Sequence, residues 1–568
     1  MIIKNYSDMK IFKKESTLIL LLLMACSLLF FFKLGSYKLI DVDEPRYAEA
    51  AREMLESSDW ITPYFNYELR FDKPIFFYWL VMISFLFFGI TEFAARFPSA
   101  IMATALVFFT YYFGKTMISR SFGLISSLIL ASSLEFIAMS RMSITDMTLT
   151  FLVCATTYSG LLAMHSENSS KKYWWWFAYL FSGIAILTKG PIGFILPAII
   201  LGLFAILTGK LKESFNPKFF IPGFLILIYT ATPWYYAIIQ EHGSAFIDYF
   251  FIKHNISRFS GEFVQHQQPF YFYFIVVLAG FFPWSIYFVA GFIKTIKDLY
   301  NHISNPQIKL KKLNFSLFEN TGNKTKLILA STIWFLSVLI LFSISKAKLI
   351  TYILPLFPAM ALLTGNIWHE FIERMKNAKL INISARILAI ICIIAGIIGA
   401  FGLNLVLPRD EKLAINSFNP ELLIIFCVIP AFLLFYLHKN QRIKAFIVTI
   451  IFMSSITLAA INNVIPIVYN SGQKDLIDYI TLSKNNSLFN DKLVAYNLTK
   501  PSLVFYSQSK IDEILTPQDL SKRLSQQEPV LVVVKNKRFY EIESVKNYHI
   551  IKKGVKYTLI SNINFKTP

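Results

Sequence analysis

The chain has 568 residues, of which 55% are hydrophobic and 16% aromatic, and its formal net charge is +20. A mean hydropathy of +0.52 excludes an ordinary soluble domain and indicates a protein that crosses a membrane many times. Lysine and arginine are concentrated in alternate loops between apolar runs, so we attribute the positive charge to membrane topology and not to nucleic-acid binding.

Apolar runs of about the length needed to cross a bilayer recur along the first four-fifths of the chain. We predict an α-helical polytopic membrane protein with about thirteen transmembrane helices. A further apolar stretch at 75–90 is predicted to lie as a helix at the membrane surface, with a span as the alternative. The predicted spans are 17–36, 94–114, 121–139, 145–165, 173–188, 190–208, 218–238, 270–293, 328–344, 351–372, 386–406, 421–437 and 444–466.

The basic loops predict the orientation of these spans, because short cytoplasmic loops collect lysine and arginine. The amino terminus is predicted to lie inside, and the 38–93 loop and the carboxyl-terminal segment are predicted to lie outside. Four cysteines, Cys26, Cys154, Cys392 and Cys427, fall within predicted spans without metal or disulfide spacing, which indicates free thiols.

A dense cluster of charges follows the first span, from Leu39 to Glu49. Pro45 suits the first turn of a helix that we expect to run through Glu56 along the membrane surface. Ionisable groups beside a bilayer are costly to keep out of water, so the cluster indicates a site for a polar substrate. For Asp41 and Glu49 we expect only solvated acids that favour a helix start.

Further charged residues fall in other predicted outer segments, where they can meet this cluster around the head group of a lipid. Such a set suits transfer from a polyprenyl phosphate: a carboxylate acts as a base or orients the acceptor, and cations stabilise the leaving phosphate. These outer residues are Asp72, Lys73, Arg141, Asp146, Lys189, His254, Arg258, His266, Lys346, Lys348 and Tyr352.

The composition becomes more polar from about residue 470. We predict two domains: a transmembrane domain over 1–469, with interfacial helices in its 38–93 loop, and a small outer α/β domain over 470–568. Helices are predicted at 475–482 and 517–525, and strands at 493–497, 503–506, 530–534 and 557–560. This part contains no glycine-rich phosphate loop and no nucleophile elbow, so we expect it to cap or recognise.

Several motifs resemble the ArnT family of lipid A aminoarabinose transferases, over the whole length of the chain. They are Asp43-Glu-Pro-Arg-Tyr-Ala48, Ala51-Arg-Glu-Met-Leu55, Asp59-Trp-Ile-Thr-Pro63, Phe71-Asp-Lys-Pro74, Leu187-Thr-Lys-Gly-Pro191, His254-Asn255 with Arg258-Phe259, Ser345-Lys-Ala-Lys-Leu349 and Tyr352-Ile-Leu-Pro355. The resemblance implies a GT-C type fold, related to the protein O-mannosyltransferases, in the bacterial inner membrane with its active site facing the periplasm.

The resemblance also implies the reaction. Members of the family move 4-amino-4-deoxy-L-arabinose from undecaprenyl phosphate to lipid A phosphates, which confers resistance to polymyxin and other cationic antimicrobial peptides. The implied partners are therefore the lipid-linked sugar, lipid A and membrane lipids, with no nucleic acid and a monomeric enzyme.

Position by position, the resemblance makes Asp43 and Asp146 the catalytic carboxylates. It assigns donor or phosphate binding to Arg46, Lys73, Lys189, Arg258, Lys346, Lys348 and Tyr352, and leaves Glu44, Asp72, His254 and His266 as further candidates. The family commonly has Glu-Lys-Pro where this chain has Asp72-Lys73-Pro74. Some members place a divalent metal near that glutamate, so the resemblance implies no required cofactor here and leaves a metal as an open alternative.

Four alternatives remain at the level of sequence. A protein O-mannosyltransferase or oligosaccharyltransferase would share the fold and donor type but use a protein acceptor. Transfer of another sugar, such as galactosamine, is a second alternative. A transporter would also need buried charges, but it would favour charges at midmembrane and internal repeats, which are not evident. A non-enzymatic scaffold would leave the charged loop unexplained.

Overall fold

The structure is a computed structural model that describes residues 14–167, 169–257, 267–304, 316–401, 420–489 and 492–565. Within these ranges, eight helices are long and apolar enough to cross a membrane, or up to ten if each of two bent pairs forms one span. The predicted helical membrane fold is confirmed, and the count of thirteen spans stays a prediction. The eight helices are Glu92–Met117, Thr145–His165, Pro217–His242, Asn323–Ile344, Ile350–Arg374, Ala378–Ile398, Glu421–His438 and Arg442–Asn470.

Two of the predicted single spans are sharply bent. The 121–139 run forms Arg120–Ala131 and Leu134–Ser140 at 70°, and the 270–293 run forms Phe272–Gly280 and Ser285–Ile303 at 116°. Pro283 lies at the second break, where it has no backbone N–H with which to continue a helix. Hydropathy alone does not report such a bend, because both halves stay apolar.

Shorter apolar helices complete the membrane region: Glu15–Phe31, Phe76–Phe88 and Ile192–Leu207. The amphipathic helix Lys171–Lys189 lies beside the last of these. Phe76–Phe88 has 13 residues, so at about 1.5 Å per residue it is too short to cross a hydrocarbon core of about 30 Å. That length fits the predicted surface helix better than a span.

The 38–93 loop contains the predicted helix, which runs from Asp43 to Ser57 and which we call the loop helix. A short antiparallel hairpin follows it, made of β1 (Tyr64–Phe65) and β2 (Glu68–Leu69). The loop helix packs against Phe76–Phe88, against the hairpin, and against a helix of the carboxyl-terminal part. It is therefore enclosed on most sides.

The carboxyl-terminal part is built on a five-stranded sheet in the order β4-β3-β5-β7-β6. Its strands are β3 (Leu493–Tyr496), β4 (Asp512–Ile514), β5 (Leu531–Lys535), β6 (His549–Lys553) and β7 (Tyr557–Ser561). Strands β4, β3 and β5 are parallel, and β7 joins β5 in antiparallel pairing. Alternate residues of β3 and β5 enter two apolar clusters, one on each face of the sheet.

Three helices cover this sheet: Lys474–Lys484, Pro501–Ser507 and Pro517–Leu524. The prediction of a strand at 503–506 is wrong, because these residues lie in the helix Pro501–Ser507. We call this helix the docking helix. Proline at its first position supplies the helical φ angle and needs no hydrogen-bond partner. A four-residue apolar run carries too little periodicity to separate a helix from a strand.

The helix preceding this domain continues from the last candidate span through Gly472. The boundary between the two domains, which we place between residues 469 and 470, stays a prediction. All four cysteines are free thiols, as expected, and three of them are buried.

Candidate active site

Three of the predicted site residues meet at one end of the helical bundle. Asp146 lies in the first turn of Thr145–His165, and Lys189 ends the antiparallel helix Lys171–Lys189. The Lys189 Nζ lies 2.6 Å from Asp146 Oδ1 and 4.4 Å from the ring centre of Tyr352. An acid at a helix start and a base at a helix end both suit the helix dipole. The structure therefore brings Asp146, Lys189 and Tyr352 into one charged cluster.

Asp43 and Arg46 lie in the first turn of the loop helix. Asp43 is exposed and Arg46 is half-buried. Neither side chain has a hydrogen bond or an ion pair to any other residue in the part of the chain that the structure describes. A carboxylate and a guanidinium without partners among the described residues are candidates to bind a substrate.

The buried residue Tyr47 links the two groups of charges. Burial raises the pKa of the Tyr47 hydroxyl well above its usual range, and the carboxylates of Asp43 and Asp146 raise it further. Both acids therefore lie near the same hydroxyl group. The backbone N–H of Ser143, three residues before Asp146, also donates to Glu44 next to Asp43, at 2.9 Å. The start of the loop helix therefore lies close to the first turn of Thr145–His165, which carries Asp146.

Glu44, a further candidate, is occupied by protein contacts. Its side chain is fully buried and accepts two hydrogen bonds from Arg96, at 2.7 and 2.8 Å, in a bidentate ion pair. The backbone N–H groups of Ile40 and Ser143 donate to the same two oxygens. With four donors on one carboxylate, Glu44 anchors the start of the loop helix to the bundle.

Asp72 and Lys73 lie in the same loop, after the hairpin. Asp72 Oδ2 is 3.2 Å from the guanidinium of the buried residue Arg70, which also stacks 5.2 Å from the ring centre of Tyr47. Lys73 Nζ donates to the Asp72 carbonyl at 2.9 Å. The pair thus lies beside Tyr47, close to the loop helix.

The two lysines of the 345–349 segment have different surroundings. Lys348 is buried and donates to the carbonyls of Ser345 and Gln268, at 2.5 and 3.1 Å, and burial lowers its pKa. Lys346 is exposed and makes no hydrogen bond within the described residues. Lys348 therefore stabilises the conformation of the 345–349 segment. The exposed side chain of Lys346 is accessible to a ligand.

The remaining candidates follow the helix Pro217–His242. Arg258 and His266 lie outside the described residues, and His254 is described only through its backbone, in the π-helical segment Ile247–Ile256. Among the residues that the structure describes, no group of three or more His, Cys, Asp or Glu side chains is arranged to hold a metal ion. Asp72, at the position of the family's glutamate, is paired with Arg70.

The sequence and the fold were compared with those of known proteins. Residues 16–248 match the family described as dolichyl-phosphate-mannose-protein mannosyltransferase. An uncharacterized protein of Aquifex aeolicus is 32% identical over 337 residues, which are 59% of this chain and 70% of that protein. The undecaprenyl phosphate-alpha-4-amino-4-deoxy-L-arabinose arabinosyl transferase of Pectobacterium carotovorum is 29% identical over 403 residues, which are 70% of this chain and 66% of that enzyme. The chain belongs to the ArnT-like family of membrane glycosyltransferases.

The fold agrees with that membership. The crystal structure of ArnT from Cupriavidus metallidurans bound to undecaprenyl phosphate matches with a TM-score of 0.78 and 18% identity, over 98% of this chain and 100% of that chain. The expected GT-C type architecture is thereby confirmed. The sequence matches to the Aquifex and Pectobacterium relatives span about two thirds of their length.

Two expectations about acids of the 38–93 loop are wrong. Glu49 is fully buried, and both of its oxygens accept hydrogen bonds from Arg52 at 2.8 Å. Asp41 is half-buried, and both of its oxygens bind Ser502 of the docking helix. Neither acid is solvated, because the carboxyl-terminal part and the hairpin cover the loop helix.

Several residues important to this arrangement were missed from sequence. Arg96 pairs with Glu44, Arg70 pairs with Asp72, and Ser502 binds Asp41. Arg141, singled out as an outer charge, donates to the carbonyls of Leu29 and Phe32 at the end of the first apolar helix. The sequence signal that could have indicated such a contact was Arg96 inside an apolar run, because an arginine in that position usually has a buried partner.

Proposed function

We propose that this protein transfers an amino sugar, 4-amino-4-deoxy-L-arabinose, from undecaprenyl phosphate to a phosphate of lipid A. The observation that carries the proposal is a pair of charges, Asp43 and Arg46, that have no hydrogen bond or ion pair among the described residues and lie near the Asp146–Lys189–Tyr352 cluster. The names of the relatives and the fold shared with ArnT support the donor and the sugar.

In this reaction the bond between the sugar C1 and the donor phosphate oxygen breaks, and undecaprenyl phosphate leaves. A new bond forms between C1 and an oxygen of the acceptor. Cations near the leaving phosphate stabilise its developing negative charge, which is usually a large contribution to catalysis. Arg46, Lys189 and Lys346 are suited to this task, and Tyr352 stacks on Lys189 and restricts its position.

Asp43 has a role that depends on the acceptor. A phosphate acceptor is already anionic at neutral pH and needs little deprotonation, so Asp43 would orient it. A hydroxyl acceptor would release its proton to Asp43 as the new bond forms. Asp146 holds Lys189 in a short charge-assisted hydrogen bond, which fixes the ammonium in the site.

The proposal extends to the location and the biological effect. We infer a monomeric enzyme in the bacterial inner membrane with Asp43 on the periplasmic side. Attachment of a cationic sugar to lipid A phosphates would reduce the negative surface charge and weaken the binding of polymyxin and other cationic peptides. No metal or other cofactor enters this mechanism.

A protein acceptor is the second candidate, because the match over residues 16–248 is to protein mannosyltransferases. The two candidates differ in the acceptor and in the sugar. Purified enzyme in liposomes would be supplied with undecaprenyl phosphate carrying aminoarabinose, galactosamine or mannose, together with lipid A or an acceptor peptide. Mass spectrometry of each acceptor then identifies the product.

The same assay tests the residues. We expect Asp43→Asn to lower transfer to lipid A by about 100-fold or more without lowering thermal stability, because Asp43 has no partner among the described residues. Asp512→Asn is the matched control, since Asp512 is an exposed aspartate of strand β4 in the carboxyl-terminal sheet. Full activity of Asp43→Asn would refute the assigned role, and transfer only to the peptide would refute the lipid A acceptor. Uptake of a soluble solute into the liposomes would instead favour a transporter.

A further inference from the structure

The carboxyl-terminal domain binds the chain immediately before Asp43. Asp41 accepts two hydrogen bonds from Ser502, one from the backbone N–H at 2.9 Å and one from the hydroxyl at 2.6 Å. Ser502 is fully buried in the docking helix. Asp41 and Ser502 are 461 positions apart in sequence, so this contact exists only in the folded protein.

Gln473 makes a second attachment to the same segment. Its side-chain amide donates to the Leu39 carbonyl at 2.9 Å and accepts from the Asp41 backbone N–H at 3.2 Å. Both ends of the amide are therefore bound to the backbone of residues 39–41. Tyr506 of the docking helix adds a third contact, accepting from the Leu39 N–H at 2.8 Å.

The residue after Asp43 is attached to the membrane bundle instead. Glu44 is bound by Arg96 and by the backbone of Ser143. Asp43 is thus flanked by one anchor in the carboxyl-terminal domain and one in the bundle. Its own carboxylate is exposed and is bound by neither.

We propose that the carboxyl-terminal domain positions Asp43, and that Ser502 and Gln473 are positioning residues for the transfer reaction. This inference rests on the proposed function, in which Asp43 orients or deprotonates the acceptor. A displacement of about 1 Å in a reacting group can lower a rate about 100-fold. Loosening residues 39–41 would move Asp43, whereas Lys189 and Lys346, which belong to other segments, would keep their positions around the lipid phosphate.

The test uses the full-length protein in liposomes with the lipid-linked sugar and lipid A. Ser502→Ala removes one hydrogen bond to Asp41, Gln473→Ala removes two to the backbone, and the pair combines both losses. We expect kcat to fall by about 10- to 100-fold in the combined variant, with the KM for the lipid donor unchanged. Ser525→Ala, at an exposed serine of the same domain, is the matched control and should retain full kcat.

Two measurements separate positioning from unfolding. Melting temperature and binding of undecaprenyl phosphate should stay near the wild-type values in Ser502→Ala. In addition, Ser502→Ala should cause no further loss when added to Asp43→Asn, because both changes act through one carboxylate. A further loss of the residual rate in that double variant would overturn the proposal, and so would a rise in KM with kcat unchanged.

The outcomes also distinguish this inference from the proposed function. If the wild-type protein moves no sugar to lipid A or to peptide, the proposed function fails and this inference fails with it. If the wild-type protein is active and the combined variant is equally active, only the positioning role is overturned.

Discussion

Removing one partner of the buried ion pair between Glu44 and Arg96 should strongly destabilise the loop, because the other charge stays buried without its partner. Both side chains are fully buried, and the Glu44 carboxylate accepts four hydrogen bonds of 2.7 to 2.9 Å. Glu44→Gln keeps the shape but replaces one oxygen with an NH2 group that faces other donors. It also leaves the Arg96 charge unpaired. Breaking a buried pair in this way typically costs about 3–5 kcal/mol.

The assay is the melting temperature of the purified protein in detergent, read from the fraction that stays monodisperse after heating. Glu56→Gln is the control, because Glu56 is on the same helix and pairs with Arg52, but its side chain is 52% exposed. An exposed pair is worth about 0–1 kcal/mol, so this variant should melt near the wild type. If Glu44→Gln melted like the control but lost activity, Glu44 would be a reacting group and the structural account would be refuted.

Three further predictions concern other parts of the fold. Lys189→Met should lower turnover by about 10- to 100-fold, because a charge-assisted hydrogen bond is worth about 1.5–3 kcal/mol. Lys189→Arg keeps the positive charge and should retain more activity. Wild-type turnover in Lys189→Met would show that Lys189 is not part of the site. Burial raises the pKa of Glu53 to about 8, whereas an unfolded glutamate titrates near about 4.3. The free energy of unfolding should therefore fall as the pH rises between these values. Glu53→Gln should flatten the plot of melting temperature against pH, and equal slopes for the wild type and this variant would contradict the raised pKa of Glu53. Gly123→Ala should cost about 1–3 kcal/mol, because its Cβ would lie 2.5 Å from the Tyr111 carbonyl oxygen of the neighbouring helix. Gly202→Ala has open space and should be neutral or stabilising, so equal melting temperatures of the two glycine variants would refute the close packing.

Part of the candidate site was accessible from sequence because its residues belong to short motifs. Asp146, Lys189 and Tyr352 were singled out in three separate segments, and their side chains lie close together in the structure. Their roles in the site stay predictions. The bend at Pro283 and the helix at 501–507 were not predicted. Apolar runs indicate that a segment is buried, but they carry little information on where a helix axis bends or on whether a short segment is a helix or a strand.

The membrane class, the helical fold and the helix at Asp43–Ser57 follow from the sequence alone, because long apolar runs and a proline at a helix start are local signals. The separate roles of Asp41, Asp43 and Glu44 do not. These three acids lie within four residues of one another, yet Asp41 binds Ser502, Glu44 binds Arg96, and Asp43 binds no described residue. Their partners come from positions 52 and 461 residues away. Only the tertiary structure brings those partners to the loop, and it thereby leaves one of three similar carboxylates available to a substrate.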